Sequence, residues 1–254
     1  MKTLRFKGLL CDIGGVLYTG DAAIPGAVEA VREIKKHYPI RFLTNTTQKT
    51  SEGVVQKLRS LGFEIDKKEV ITALDITKMF LQQQRSSAYF LLTDEALAFF
   101  DDLKYEKEEY VIVGDAQDNF SYNNLNTAFR KLHAGSKLVA IAKNRYFQDK
   151  DGLSMDAGCF VAALEYASMQ QARILGKPSR EFFHLACEDM GVSPAECIMI
   201  GDDIEGDVKG AQDAGIKGVL VKTGKFSPKD LERGIKPDLI IDSIADLLAV
   251  LYNS

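Results

Sequence analysis

Leu9-Leu10-Cys11-Asp12-Ile13-Gly14-Gly15-Val16-Leu17 is the stretch that decides how this chain is read. Within Phe6 to Cys11, the run from Leu9 to Cys11 is apolar with no polar alternation. It therefore predicts a strand buried on both faces, as in a parallel sheet covered by helices. An acidic residue and two glycines at its end place a carboxylate, Asp12, where the strand stops. Ligands of open α/β sheets bind at that carboxyl edge.

Outward from this stretch the plan repeats. Ala27, Ala30, Val31 and Ile34 recur at helical spacing, Ile40 to Leu43 is strand-like, and Thr50 to Leu61 is a second helix stopped by Gly62. In the C-terminal part, Arg173 to Leu175, Cys197 to Ile200, Val219 to Val221 and Leu239 to Ile241 predict strands. Helices are predicted over Arg180 to Met190, through Val208 and Ala211 to Gly215, and from Ser243 to Leu251. Alternation of this kind implies right-handed crossovers and a mostly parallel sheet. The middle of the chain has its own elements. Ala88 to Leu92, Val111 to Val113 and Leu138 to Ile141 are strand-like, while Ile76 to Leu81, Ala96 to Phe100, Leu125 to Leu132 and Phe160 to Ala167 are helical. The expected division is a core from residues 1–71 and 177–254, with 72–176 inserted between as a second α/β domain.

The 254 residues are enough for one large domain or two modest ones. A net charge of −4 argues against a nucleic-acid or membrane-surface binder, which usually shows a basic face. No window approaches the roughly 20 apolar residues of a membrane span. The four cysteines, Cys11, Cys159, Cys187 and Cys197, have no metal-ligand spacing and read as reduced thiols of a cytoplasmic protein.

The chemistry is carried by the residues just past the strand ends. Asp12 comes after the first strand, Thr44 and Asn45 after the second, Lys177 after the run ending at Leu175, and Gly201, Asp202 and Asp203 after the run ending at Ile200. A lone Asp after a strand is usually a turn residue or a helix cap. A carboxylate, a hydroxyl, a cation and a carboxylate cluster meeting at one edge suggest phosphoryl transfer. Asp12 and Asp202 could share Mg2+, an ion that takes oxygen ligands and substrate phosphate. Lys177 and Thr44 could hold phosphoryl oxygens, the stabilisation this reaction chiefly needs. Asp12 could attack phosphorus to give an aspartyl-phosphate. The frames of a P-loop and of a dinucleotide site are both absent around Gly176-Lys177-Pro178 and Gly14 to Gly20.

With Phe42-Leu43-Thr44-Asn45, Gly176-Lys177-Pro178 and Ile200-Gly201-Asp202-Asp203 plus Asp207, the opening stretch resembles, in order, the four motifs of the haloacid dehalogenase (HAD) superfamily. The long insertion between the second and third motifs is similar to that superfamily's class II caps. Thr44-Asn45-Thr46-Thr47 and the stretch from Asn144 to Tyr166 resemble its class IIA branch, nearest the phospholysine phosphohistidine inorganic pyrophosphate phosphatases and their hydrolase relatives. The resemblance implies a Rossmann-like parallel-sheet core, a class IIA cap and a Mg2+-dependent phosphatase. It makes Asp12 the nucleophile and a metal ligand, the Gly14 carbonyl and Asp202 further ligands, Thr44, Asn45 and Lys177 phosphate-binding residues, and Asp203 and Asp207 outer residues steadying the ion and Lys177. In the cap, Asn144, Arg145 and Tyr146 are candidates for substrate selection; a solvated hairpin is the alternative reading. A homodimer acting on a small phosphorylated substrate is also implied.

One position departs from that pattern. Most phosphatases of the superfamily carry a second Asp two residues after the nucleophile, which protonates the leaving group; here it is Gly14. General acid–base catalysis contributes about 10²–10⁴ in rate, out of accelerations that reach about 10²¹ for phosphate monoesters. Its loss predicts poor turnover of sugar phosphates and better turnover of pyrophosphate, aryl phosphates or phosphoramidates. Asp21 or the cap are the expected sources of a replacement acid, and a catalytically weak phosphate-binding regulator is the alternative function.

Overall fold

The structure is a computed structural model that describes residues 6–47, 49–148 and 152–252. The chain divides into two compact units, one built from residues up to 44 with 51–71 and 177 onward, the other from 45–50 and 72–176.

The first unit is a six-stranded sheet in the order Leu239–Ile241, Lys217–Val221, Cys197–Gly201, Gly8–Asp12, Ile40–Thr44, Val70–Thr72. The first five strands pair in parallel. Every residue of Gly8–Asp12 and of Cys197–Gly201 is buried, as two-sided coverage demands. One covering helix, Ala27–His37, buries Ala27, Ala30, Val31 and Ile34 and ends in Lys35, Lys36 and His37, which suit the negative end of its dipole. Of these, Ala27, Val31 and Ile34 join Leu9, Cys11, Phe42, Ile198, Ile200 and Val219 in one apolar core.

The second unit holds a four-stranded, all-parallel sheet in the order Arg173–Ile174, Lys137–Ala140, Glu108–Val113, Ser87–Leu91. Helices Tyr122–His133 and Ala157–Ser168 give it a separate core around Val111, Val113, Leu132, Leu138 and Val161. An antiparallel hairpin pairs Tyr146–Gln148 with Leu153–Met155.

Two expectations need correction. Arg173–Ile174 is a strand of the second unit's sheet, paired with Val139 and Ala140, and not part of the core sheet. Lys177 is therefore the first residue of the chain's return to the first unit, joined to Pro178 by a cis bond, and does not stand at the end of a core strand. The helix expected through Val208 and Ala211 opens with a π-helical turn, Ile204–Lys209, before the short α-helix Gly210–Asp213. The Asp203 carbonyl accepts from both Asp207 and Val208, so the turn is wider than an α-turn and Asp207 lies buried within it.

Candidate active site

The parallel register sets the site. Asp12 pairs with Leu43 and Cys11 with Ile200, so Thr44 lies one residue and Asp202 two residues past those pairings at the same sheet edge. Asp12, Asp202 and Asp207 are buried, and each offers a carboxylate oxygen within 4.8 Å of the others. Lys177, 5% exposed, donates from Nζ to Asp12 Oδ1 and, at 2.7 Å, to Asp207 Oδ1. Asp207 Oδ2 accepts the Asp203 N–H at 3.2 Å, so both oxygens of Asp207 are already engaged. Asp203 in turn caps the π-turn, its Oδ1 accepting from the N–H groups of Glu205 (3.0 Å) and Gly206 (2.9 Å).

Asp202 is held from two sides by backbone. The Lys225 N–H donates to its Oδ2 at 2.6 Å. Gly15 (φ +78°) and Gly224 (φ +64°) both lie so close that a Cβ on either would overlap this carboxylate. Both also occupy the left-handed region that side chains rarely adopt. Gly201 plays the same part for Asp207, whose carboxylate a Cβ there would overlap. Gly14 is different, being exposed, with no atom within 4 Å of an added Cβ.

Burial and crowding set the charges. Burial, then the neighbouring Asp12 and Asp207, pushes Asp202 up to about 8. Burial also raises Asp207 to about 7, with Lys177 opposing it and Asp12 and Asp203 adding to it. Burial works against the Lys177 ammonium, yet Asp12 and Asp207 outweigh it and hold that group above the ordinary lysine value. Burial works against ionised Asp203 too, and Lys225 with the N–H groups of Gly206 and Glu205 outweighs it, leaving this carboxyl below the ordinary value. When all four carboxylates are ionised, the two ammonium groups leave two negative charges in excess, which one divalent cation would cancel. Oxygen donors, burial and that excess fit Mg2+. In the loop beside Gly224, the Thr223 hydroxyl oxygen is buried with no hydrogen-bond partner among the described residues, so this loop has polar capacity left to fill.

Of the residues singled out from sequence, Asp12, Lys177, Asp202, Asp203 and Asp207 lie in one connected network. Thr44 is the buried last residue of its strand. Asn45 belongs to the second unit, where an added Cβ on Gly176 would lie 2.6 Å from its Oδ1. Asn144, Arg145 and Tyr146 also lie in the second unit, leading into the hairpin. The Asn144 carbonyl accepts from Gly158 at 3.0 Å, the Arg145 carbonyl accepts from Asp156 at 3.1 Å, and Tyr146 is 51% exposed. Asp21 is an exposed partner of Lys57. Sequence reasoning missed Gly224 and Lys225, although the rule that found Asp202 would have found them, because they come after the strand Lys217–Val221.

Comparison with known proteins places the chain. A family model described as haloacid dehalogenase-like hydrolase matches residues 9–106, and one described as HAD-hydrolase-like matches 174–247. Human haloacid dehalogenase-like hydrolase domain-containing protein 2 is 42% identical over 228 residues, 89% of this chain and 88% of that protein. The phospholysine phosphohistidine inorganic pyrophosphate phosphatase of Danio rerio is 40% identical over 256 residues, 97% of this chain and 95% of that one. Among solved structures, the 4-nitrophenylphosphatase of Thermotoga maritima superposes with a TM-score of 0.89 at 27% identity, covering 97% of both chains. The p-nitrophenyl phosphatase of Archaeoglobus fulgidus superposes with a TM-score of 0.90 at 25% identity, covering 98% of this chain and 100% of that one. With its parallel-sheet core, inserted α/β unit and carboxylate network, the chain belongs to the haloacid dehalogenase superfamily of hydrolases, in the class IIA branch that holds these phosphatases.

Proposed function

We propose that this chain is a Mg2+-dependent phosphohydrolase in which Asp12 accepts the phosphoryl group. The observation that carries the reading is the network itself: three buried carboxylates within 4.8 Å of one another, two of them gripped by one buried ammonium. Asp12, Asp202 and the Gly14 carbonyl would hold the ion, which when bound supplies positive charge to phosphoryl oxygens. Asp12 attacks phosphorus, the bond to the leaving group breaks with its electron pair, and an aspartyl-phosphate remains. Water then attacks that phosphorus, releasing phosphate and restoring the carboxylate. Lys177, held by Asp207, faces Asp12 from the start and neutralises charge on the transferred group. Thr44 and Asn45 are proposed phosphate contacts, and Asn144, Arg145 and Tyr146 proposed selectors of substrate.

Gly14 offers no proton to the leaving group. The favoured substrates are therefore those whose leaving group needs no proton from the enzyme: pyrophosphate and aryl phosphates, which expel stable anions, and phosphoramidates, whose nitrogen already carries its proton and departs as a neutral amine. A cytoplasmic setting and a homodimer complete the proposal. The test is turnover of p-nitrophenyl phosphate with Mg2+ and its abolition in Asp12→Asn; an Asp12→Asn protein as active as wild type ends it. The open position at Gly14 also motivates a second reading, a weakly catalytic phosphate-binding regulator. Saturable binding of Mg2+ and phosphate without turnover of any of these substrates would favour that.

A further inference from the structure

We propose that Lys225 is a further substrate-binding residue of this site, its ammonium contacting the anionic leaving portion of a diphosphate-type substrate while its backbone positions Asp202. The inference rests on the phosphohydrolase reading and adds a residue to it. The two halves of Lys225 do different things. Its N–H donates to Asp202 Oδ2 at 2.6 Å, the tightest restraint on that carboxylate. Its side chain is 46% exposed, and its Nζ lies 3.6 Å from Asp203 Oδ2, a loose ion pair beside the network. Lys177, by contrast, is buried and engaged by two carboxylates at hydrogen-bond distance. The network thus has one inner ammonium fixed on the nucleophile and one outer ammonium, half in solvent and weakly held, that a second anion could draw away from Asp203.

The backbone that carries Lys225 is well anchored. On one side the Lys222 N–H donates to the Ile241 carbonyl at 3.1 Å, and Gly224 abuts Gly15 and Asp202. On the other, Phe226 packs on Ile204, Val208 and Leu220, and Ser227 with Asp230 forms a capping box. A half-exposed charge on a long stem and an anchored backbone suits an anion whose size varies more than that of the transferred phosphoryl group. It also answers the chemical need left by Gly14. A site with no acid for the leaving group gains most from a cation that stabilises the departing anion in place.

Lys225→Met keeps the N–H and most of the stem and removes only the charge. Two measurements test the idea. In calorimetry with Mg2+ present, methylenediphosphonate should bind about 10-fold more weakly to the variant, the low end for a lost charge-assisted hydrogen bond, while inorganic phosphate weakens by no more than about 3-fold. In turnover, kcat/KM for pyrophosphate should fall about 10-fold, with the change largely in KM, and that for p-nitrophenyl phosphate by no more than about 3-fold. Lys225→Arg should recover most of the diphosphonate affinity. Equal losses for the one-phosphate and two-phosphate ligands, or no loss for either, overturn the proposal. Failure of wild type to turn over any substrate would strike the phosphohydrolase reading instead, and the binding ratio would still decide the role of Lys225.

Discussion

Replacing Lys177 with Met should destabilise the metal-free protein strongly, and more so as pH rises. The side chain is 6% exposed and lies between carboxylates that are 11% (Asp12) and 2% (Asp207) exposed, so its loss leaves two buried acids facing each other without a cation. Removing one partner of a buried ion pair typically costs about 3–5 kcal/mol. The carboxyls can limit that cost by taking up protons. Asp207 holds its proton up to about pH 7 even with Lys177 in place, so below that pH wild type and variant share the cost. Above it wild type releases the proton from a carboxylate that Lys177 then grips, whereas the variant must keep it, at about 1.36 kcal/mol per pH unit. The folded variant thus carries a proton that folded wild type has lost, and its deficit grows by up to about 3 kcal/mol between pH 7 and 9. Urea unfolding in EDTA at both pH values measures this. A second substitution, Asp207→Asn in the Lys177→Met background, removes one of the stranded acids and should recover about half of the pH 9 loss without restoring turnover. A Lys177→Met protein within about 1 kcal/mol of wild type at pH 9, or equally destabilised at both pH values, would refute the argument.

Three further outcomes are expected. Gly224→Ala combines a left-handed backbone, about 1 kcal/mol, with overlap on Asp202, about 1–3 kcal/mol for overpacking, and should abolish the rise in Tm that Mg2+ confers; Gly14→Ala, with open space at its Cβ, should stay within about 0.5 kcal/mol of wild type, and equal effects in thermal scans would contradict the geometry. Gly14→Asp should raise kcat/KM for alkyl phosphates relative to p-nitrophenyl phosphate, by up to about 10²–10⁴ if the new acid is well placed, and an unchanged ratio would mean that the missing acid does not set the leaving-group preference. Because Asp202 is raised to about 8 in the metal-free fold, that fold should lose stability as pH climbs from about 4 to 8, and the rise in Tm given by Mg2+ over EDTA should widen across the same interval; a Mg2+ effect independent of pH would show that Asp202 does not exchange its proton for the ion.

The parts legible in the sequence were those governed by burial and strand-end chemistry. Leu9 to Cys11 and Val219 to Val221 read as two-sided strands because nothing polar interrupts them, and the carboxyl-edge rule then picked out Asp12 and Asp202. What stayed hidden depends on partners far along the chain. A two-residue strand such as Arg173–Ile174 carries no mark of which sheet it joins; its pairing with Val139 and Ala140 decides that. The helix Ala73–Gln84 starts well before the apolar repeat at Ile76, because Thr72 and Asp75 cap each other by a reciprocal pair of hydrogen bonds. The π-turn at Ile204–Lys209 has no periodicity of its own, since it is one wider turn shaped by Asp203 and by the space left at Gly201. Lys225 was overlooked because a lysine in a loop after a Gly reads as solvated, as its half-exposed side chain is; the backbone N–H that ties it to Asp202 leaves no mark in the sequence beyond its place after a strand.

These features amount to a deliberate conflict held by the fold. Four carboxylates and two ammonium groups do not balance, and the sheet core must supply the energy that keeps them together. Gly15, Gly201 and Gly224 are the means: each leaves out a side chain that would overlap Asp202 or Asp207, so the acids can keep their places close to one another. The glycine that does not serve this purpose is Gly14, which is exposed and presses on nothing. If packing had required glycine there, the absence of an acid could be a by-product of the fold. Since it does not, the gap in the catalytic set is separable from the architecture around it, and the proposed preference for stable leaving groups should change with that one residue while the carboxylate network stays as it is.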